Sequence, residues 1–364
     1  MKNTKKKLAA IAIFGLTLQV LTGCGKTAQV EQTADAEVNI EAQSNLGVDP
    51  ISGEKYPDEI KIAILNGSSI DAIAIAEGFY SEFEANTGVK TTVLYFESGR
   101  DVNNAYASAS VDVATFGSSP ISLGTTNELG YEVVYINATI GTAESLAVSS
   151  DIKTPEDLSG KVIATPFAST SHYSLLNYLE QQGIGDVDVI DLQPQDILAA
   201  WQRGDIDGAY VWTPVLGEIE ATGNVLVSSA DLAEDGIITA DLTTANKEFA
   251  KKYPTLVTGF VEIQTKAYDI IANKRDVAVK DLVANLQISE EEANNQLDGS
   301  VWIAPSEQVS ERFLGKTGEK SGLAETIKKT AEFHVTQGNL DSAKELDFYR
   351  ADVDSTFIEN ILNK

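Results

Sequence analysis

Residues 165–176 read TPFASTSHYSLL, and residues 191–212 read DLQPQDILAAWQRGDIDGAYVW. The apolar run Val162-Ile163-Ala164 breaks at Pro166. Four small or hydroxyl residues, Ala168 to Ser171, then lead directly into an apolar-periodic segment. This pattern predicts a strand that feeds the N-terminus of a helix. The first amides of a helix have no internal partner and lie at the positive end of its dipole, so hydroxyl and small residues there suit an anion. The same residues also suit an ordinary Ser/Thr cap.

Working outward, the strand Lys61 to Leu65, a Gly-Ser loop at Asn66 to Ser69 and a helix carrying Ile73, Ala76, Phe79 and Phe83 precede a strand at Thr92 to Phe96. Val162 begins a comparable series: a hydroxyl loop, a helix to about Gln182 and the strand Val187 to Asp191. Strands alternating with helices imply an α/β fold with parallel sheets. Ala105 to Pro120 (AYASASVDVATFGSSP) and Ala200 to Pro214 (AWQRGDIDGAYVWTP) share a plan. In each, a helix end leads through a turn and an aspartate (Asp112, Asp207) into an apolar strand and a Pro-marked turn. Two versions of one unit predict two similar lobes whose strand C-termini face a shared crevice. After about Ala245 the chain is mainly helical, with helices over Lys247–Asn273, Val277–Leu286, Glu290–Gln296 and Leu323–Gln337, which return it to the first lobe. The expected division is a leader at 1–23, a tether at 24–58, lobe I from 59–145 and 245–364, and lobe II from 146–244.

Lys2, Lys5, Lys6 and Lys7 precede the apolar stretch Leu8 to Leu21, which ends in Leu21-Thr22-Gly23-Cys24. This is the pattern of a bacterial lipoprotein signal, with Cys24, the sole cysteine, as the lipid acceptor. The apolar run is too short for a stable membrane span. The polar, acidic residues from Gly25 to about Pro57 read as a tether with an end-to-end distance of about 30 Å. The chain then sits on the extracytoplasmic face of the membrane. It carries 54 Asp and Glu against 27 Lys and Arg, for a net charge of −27. That excludes a basic footprint for nucleic acid, so any anion must be held by local dipoles and hydroxyls.

Enzyme chemistry finds little support. The two histidines, His172 and His334, are distant in sequence and have no cysteine partner, and no G-x-S-x-G, Walker A or H-E-x-x-H pattern occurs. No catalytic residue, metal site or cofactor is expected. His172, in the first turn of the hydroxyl-loop helix, either touches a ligand or packs. Trp212 closes its strand before Thr213-Pro214 and is expected at the crevice mouth.

The segments PFASTSHYSLL and LQPQDILAAWQRGDIDGAYVW, with ESG at Glu97 to Gly99, GSSP at Gly117 to Pro120 and AESLAV at Ala143 to Val148, give the chain a specific likeness. It resembles the taurine-binding proteins of ABC transporters, within the wider nitrate/sulfonate/taurine group of solute-binding proteins. The resemblance implies a two-lobed periplasmic-binding-protein fold of type II, monomeric, which closes on its ligand and delivers it to a permease and its ATPase. It assigns Ser169, Thr170 and Ser171 from one lobe and Ser118 and Ser119 from the other to sulfonate binding, with Gln193 as an added amide donor. A zwitterion such as taurine also needs a carboxylate, for which Glu144 and Asp241 are the candidates. Where the family has a tryptophan two residues after that aspartate, this chain has Thr243, which leaves room for a bulkier sulfonate or a related acid. The alternative ligand on the same fold is a nitrate-like anion or a pyrimidine precursor.

Overall fold

The computed structural model describes residues 47–364. The leader, Cys24 and most of the tether lie outside the described residues. Eleven strands and fifteen helices follow in the described chain. The first sheet uses β1 (Glu59–Leu65), β2 (Lys90–Phe96), β3 (Val113–Gly117), β4 (Tyr131–Ile140), β10 (Ala240–Asn246) and the short edge strand β11 (Ser300–Trp302), in the order β11-β4-β10-β3-β1-β2. The second uses β5 (Glu144–Val148), β6 (Val162–Thr165), β7 (Asp188–Asp191), β8 (Gly208–Trp212) and β9 (Asn224–Ser228), in the order β7-β6-β8-β5-β9. We refer to these sheets and their helices as the first and second lobes.

Each sheet has a parallel trio (β2-β1-β3; β7-β6-β8), but β10 runs antiparallel to β3 and β4, and β5 antiparallel to β8 and β9. The sheets are therefore mixed rather than wholly parallel. The edge strand β11 also runs the other way, antiparallel to β4, whereas β10 and β5 are the strands entered directly after the chain crosses between lobes. Such a strand arrives from the other lobe and needs no βαβ crossover, which frees its direction.

The internal likeness extends to side-chain chemistry. Asp112 takes the amide of Lys61 at 2.8 Å on its carboxylate, while its own amide donates to the Lys61 carbonyl. Asp207 does the same with Val162, at 2.9 Å for the carboxylate contact. Each aspartate thus pins the start of one parallel strand to the start of its neighbour.

The helices are α1 (Ser69–Ala76), α2 (Phe79–Thr87), α3 (Gly99–Ala107), α4 (Ser118–Thr126), α5 (Thr170–Gln182), α6 (Pro194–Arg203), α7 (Val215–Glu220) and α8 (Ser229–Glu234). After β10 come α9 (Lys247–Lys252), α10 (Pro254–Asn273), α11 (Arg275–Leu286), α12 (Glu290–Asp298), α13 (Gly322–Thr336), α14 (Leu346–Arg350) and α15 (Thr356–Leu362). Two of the expected helices are each broken. Gly78 (φ 72°) separates α1 from α2, and Tyr253 leaves helical geometry before Pro254, which opens α10. The buried strands β3 and β5 are apolar along most of their length because helices cover both sheet faces. One core, including Ile62, Phe116, Tyr131 and Phe260, fills the first lobe; two smaller ones, around Leu146 and Ile197, fill the two sides of the second sheet.

Candidate functional site

A crevice of about 90 Å³ lies between the lobes. Helices α1, α3, α4 and α5 all begin at its wall: Ser69 and Ile70, Gly99, Gly117 with Pro120, and Ser169 with Thr170 line it. Each of these helices has at least eight residues. Four positive dipole ends therefore converge on one small space.

The hydroxyl loop is built as a cap. Ala168 takes a left-handed conformation (φ 64°), and Ser169 follows as N-cap with its Oγ accepting from the His172 amide at 3.1 Å. The hydroxyls of Thr170 and Ser171 are already engaged: both donate to Glu144 Oε2, at 2.5 and 2.9 Å, while Ser229 Oγ donates to Oε1 at 2.9 Å. Glu144, at the start of β5, is buried, and desolvation raises its pKa against the effect of those three hydroxyls. An anion at this helix start is therefore left with the Ser169 hydroxyl proton, which the cap does not use, and the free backbone amides of the first turn.

The remaining expected residues divide in two. Trp212 and Asp241 line the crevice with Glu144, Ser169 and Thr170, whereas Ser118, Ser119, Ser171, His172 and Gln193 are not among its lining residues. Ser118 Oγ accepts from the Ala240 amide, and Ser119 Oγ meets His334 Nε2 at 3.1 Å. His172 stacks on Phe167 with centroids 4.4 Å apart, and burial pushes its pKa down to about 4. Gln193 reaches across the lobe boundary toward Ser98 and Asp101, at 3.4 Å each.

Unlike Glu144, the Asp241 carboxylate has no hydrogen-bonding partner among the described residues. Burial, and then the charges of Glu144 and Asp71, push its pKa up to about 7. Asp241 is half-buried and lines the crevice. Among the described residues, no Lys, Arg or His lines the crevice.

Sequence reading missed several residues here. Trp302 on β11 pairs with Ala138, and Asp241 pairs with Ala138 from the other side, so indole and carboxylate share one sheet face. In the second lobe Trp212 stands directly opposite Glu144 in the β5–β8 register. Each lobe thus offers one tryptophan beside one carboxylate. Thr243 is buried, donates to Asn137 Oδ1 at 2.9 Å and is not among the lining residues; the first-lobe aromatic wall comes instead from Trp302. Behind the wall, Asp71 accepts from Ser68 Oγ at 2.6 Å, Tyr80 at 3.1 Å and Gln264 at 3.2 Å. Trp302 was traceable as the third tryptophan of a chain that has only three. Gln296 and Asn137 carry no local signal, because long-range packing brings them to the crevice.

The lobes are pressed together around this space. Arg100 pairs with Asp191 at 2.7 Å, and Tyr173 meets Phe333 edge to face at 5.0 Å. The Gly117 backbone lies so near Thr170 that a Cβ at Gly117 would fall 2.8 Å from Thr170 Cγ2.

The profile of the family described as NMT1/THI5 like matches residues 69–278, more than half of the chain. The chain belongs to the NMT1/THI5-like family. The taurine-binding periplasmic protein of Escherichia coli (strain K12) is 34% identical over 289 residues, covering 77% of this chain and 88% of that protein. Among solved structures, the alkanesulfonate-binding protein SsuA from Xanthomonas axonopodis pv. citri, bound to MOPS, matches this NMT1/THI5-like chain with a TM-score of 0.66 at 18% identity. That match covers 78% of this chain and 94% of SsuA. The desulfurization enzyme DSZB matches with a TM-score of 0.59 at 19% identity, covering 84% and 99%. These structural likenesses establish the two-lobed periplasmic-binding-protein fold, which carries both binders and an enzyme.

Proposed function

We propose that this protein is the solute-binding component of an ABC importer, held by a lipid on Cys24 at the extracytoplasmic membrane face. It takes taurine or a closely related aminoalkanesulfonate by lobe closure and passes it to the permease without chemical change. The observation that carries the reading is Asp241, an unpartnered carboxylate in a crevice with no cationic side chain and four helix N-termini. Dipole ends suit a sulfonate, and the carboxylate suits an ammonium group. A plain anion would satisfy the dipole ends but leave the Asp241 carboxylate without a cationic partner. Asp241 is favoured over Glu144 as the ammonium partner because Glu144 already accepts three hydroxyls. The E. coli relative's name agrees with this ligand. Ligand contacts from both lobes to one molecule give closure its driving force, since the closed state gains contacts that the open state lacks.

Calorimetry at pH 8 with taurine, ethanesulfonate and orotate tests the assignment. Taurine is expected to bind at least tenfold more tightly than ethanesulfonate, which is about 1.4 kcal/mol. Equal binding of the two sulfonates sinks the amine reading. Tight orotate binding would instead favour a planar ligand between Trp212 and Trp302. For the anchor, Cys24→Ser is expected to move the protein from the membrane fraction to the soluble fraction; retention in the membrane contradicts it.

A further inference from the structure

Gln296, on α12, forms part of the first-lobe wall and is 5% exposed. Its Nε2 donates to the Gly67 carbonyl at 2.5 Å and to Ser69 Oγ at 2.7 Å, while its Oε1 is buried with no donor among the described residues. A carbonyl oxygen can only accept, so the Gly67 contact fixes which end of the amide is which. The NH₂ faces Gly67, and the oxygen is left as an unserved acceptor on a side chain that lines the crevice. A buried acceptor without a donor is costly and stands out in a folded protein. The next residue ties this end of α12 to the strands that carry Asp241: the Leu297 carbonyl accepts from Trp302 Nε1 at 2.8 Å, and Trp302 shares its sheet face with Asp241.

We infer that Gln296 Oε1 is a second acceptor for the ligand's ammonium group and makes the crevice selective for primary over tertiary amines. The inference rests on the reading above, in which Asp241 holds the ammonium. A primary ammonium carries three N–H donors, enough to serve Asp241 and Gln296 together. Each N-methylation removes one donor. A tertiary ammonium keeps a single N–H, which the charged acceptor Asp241 takes, leaving Gln296 unserved. Gln296 is thus a specificity-determining residue on an element that the anion site does not use.

The test measures the affinities of taurine, N-methyltaurine, N,N-dimethyltaurine and ethanesulfonate for wild type, Gln296→Met, Gln296→Glu and Asp241→Asn. Gln296→Met keeps the length of the side chain but removes the acceptor. It is expected to narrow the taurine to N,N-dimethyltaurine affinity ratio by about tenfold and to leave ethanesulfonate within about twofold. Gln296→Glu, which retains an acceptor, is expected to hold that ratio at or above the wild-type value, and it decides the matter alone if Gln296→Met fails to fold. Equal weakening of all four ligands by Gln296→Met, or collapse of the ratio in Gln296→Glu, overturns the inference and leaves Gln296 as a brace for Gly67. Asp241→Asn separates the two layers. If it weakens ethanesulfonate as much as taurine, the ammonium reading itself has failed; if it is amine-selective while Gln296→Met is not, only the role of Gln296 falls.

Discussion

Gly117→Ala, paired with a compensating change at Thr170, probes lobe closure. Gly117 has φ −73° and ψ 151°, which any residue adopts, so alanine causes no backbone strain there. The added Cβ would lie 2.8 Å from Thr170 Cγ2, a methyl on the opposing lobe. Thr170 cannot swing aside, because its hydroxyl is held by Glu144 at 2.5 Å. Overpacking of this kind costs about 1–3 kcal/mol. The cost falls on the closed state alone, since opening separates the two residues. Affinity for every ligand should therefore drop about 5- to 150-fold. The melting temperature without ligand should stay within about a degree of wild type, the size of a near-neutral surface change. Thr170→Ser removes the offending methyl and keeps the hydroxyl for Glu144, so the double substitution Gly117→Ala/Thr170→Ser should recover most of the lost affinity. Calorimetry of the four proteins gives the coupling directly. If the double variant binds as poorly as Gly117→Ala, the alanine obstructs the ligand rather than the lobes, and the closure argument fails.

Four further outcomes follow from the site. Asp241 must be ionised to hold an ammonium, so taurine affinity should fall toward tenfold per pH unit below about 7, while ethanesulfonate, relieved of a nearby charge, should bind no worse; a flat taurine profile from pH 5 to 8 contradicts this. The same raised value means that the folded state holds this proton more tightly than the unfolded chain does. Asp241 therefore lowers unliganded stability as pH rises from about 4 to about 7. Glu144→Ala should cost about 1–3 kcal/mol in urea denaturation by leaving the hydroxyls of Thr170, Ser171 and Ser229 unserved. Unchanged stability together with lost amine preference would instead make Glu144 the ammonium partner. The Arg100–Asp191 pair is more than a third exposed on both sides, so Arg100→Ala should weaken all ligands by no more than about fivefold. That loss should vanish in about 1 M salt, where screening acts within about 3 Å.

The strand–helix alternation at the start of each lobe was legible because β-branched runs, turn glycines and prolines mark those boundaries, and the Asp112/Asp207 likeness carried the duplication; the strands β4, β9, β10 and β11 were not assigned. Strand direction in β5 and β10 was not legible, because periodicity says which residues face a core and nothing about where the preceding strand lies. At the site, the hydroxyl loop was read correctly as a helix start, but its free hydroxyls were overcounted. A serine or threonine at that position can face a ligand or a neighbouring carboxylate, and only the tertiary fold brings Glu144 within 2.5 Å of Thr170. Trp302 and Gln296 come from the helical return, some 60 and 55 residues beyond Asp241, so their arrival at the crevice depends on packing that no local pattern encodes.

Under the proposed function, Asp241 reads the amine end of a zwitterionic sulfonate. The most direct test of this role compares taurine with ethanesulfonate, by calorimetry at pH 8, in wild type and in Asp241→Asn. Loss of a charged hydrogen-bond partner costs about 1.5–3 kcal/mol, so taurine should weaken about 10- to 150-fold while ethanesulfonate is unchanged or tighter. Equal losses for both ligands, or none for either, would contradict the account.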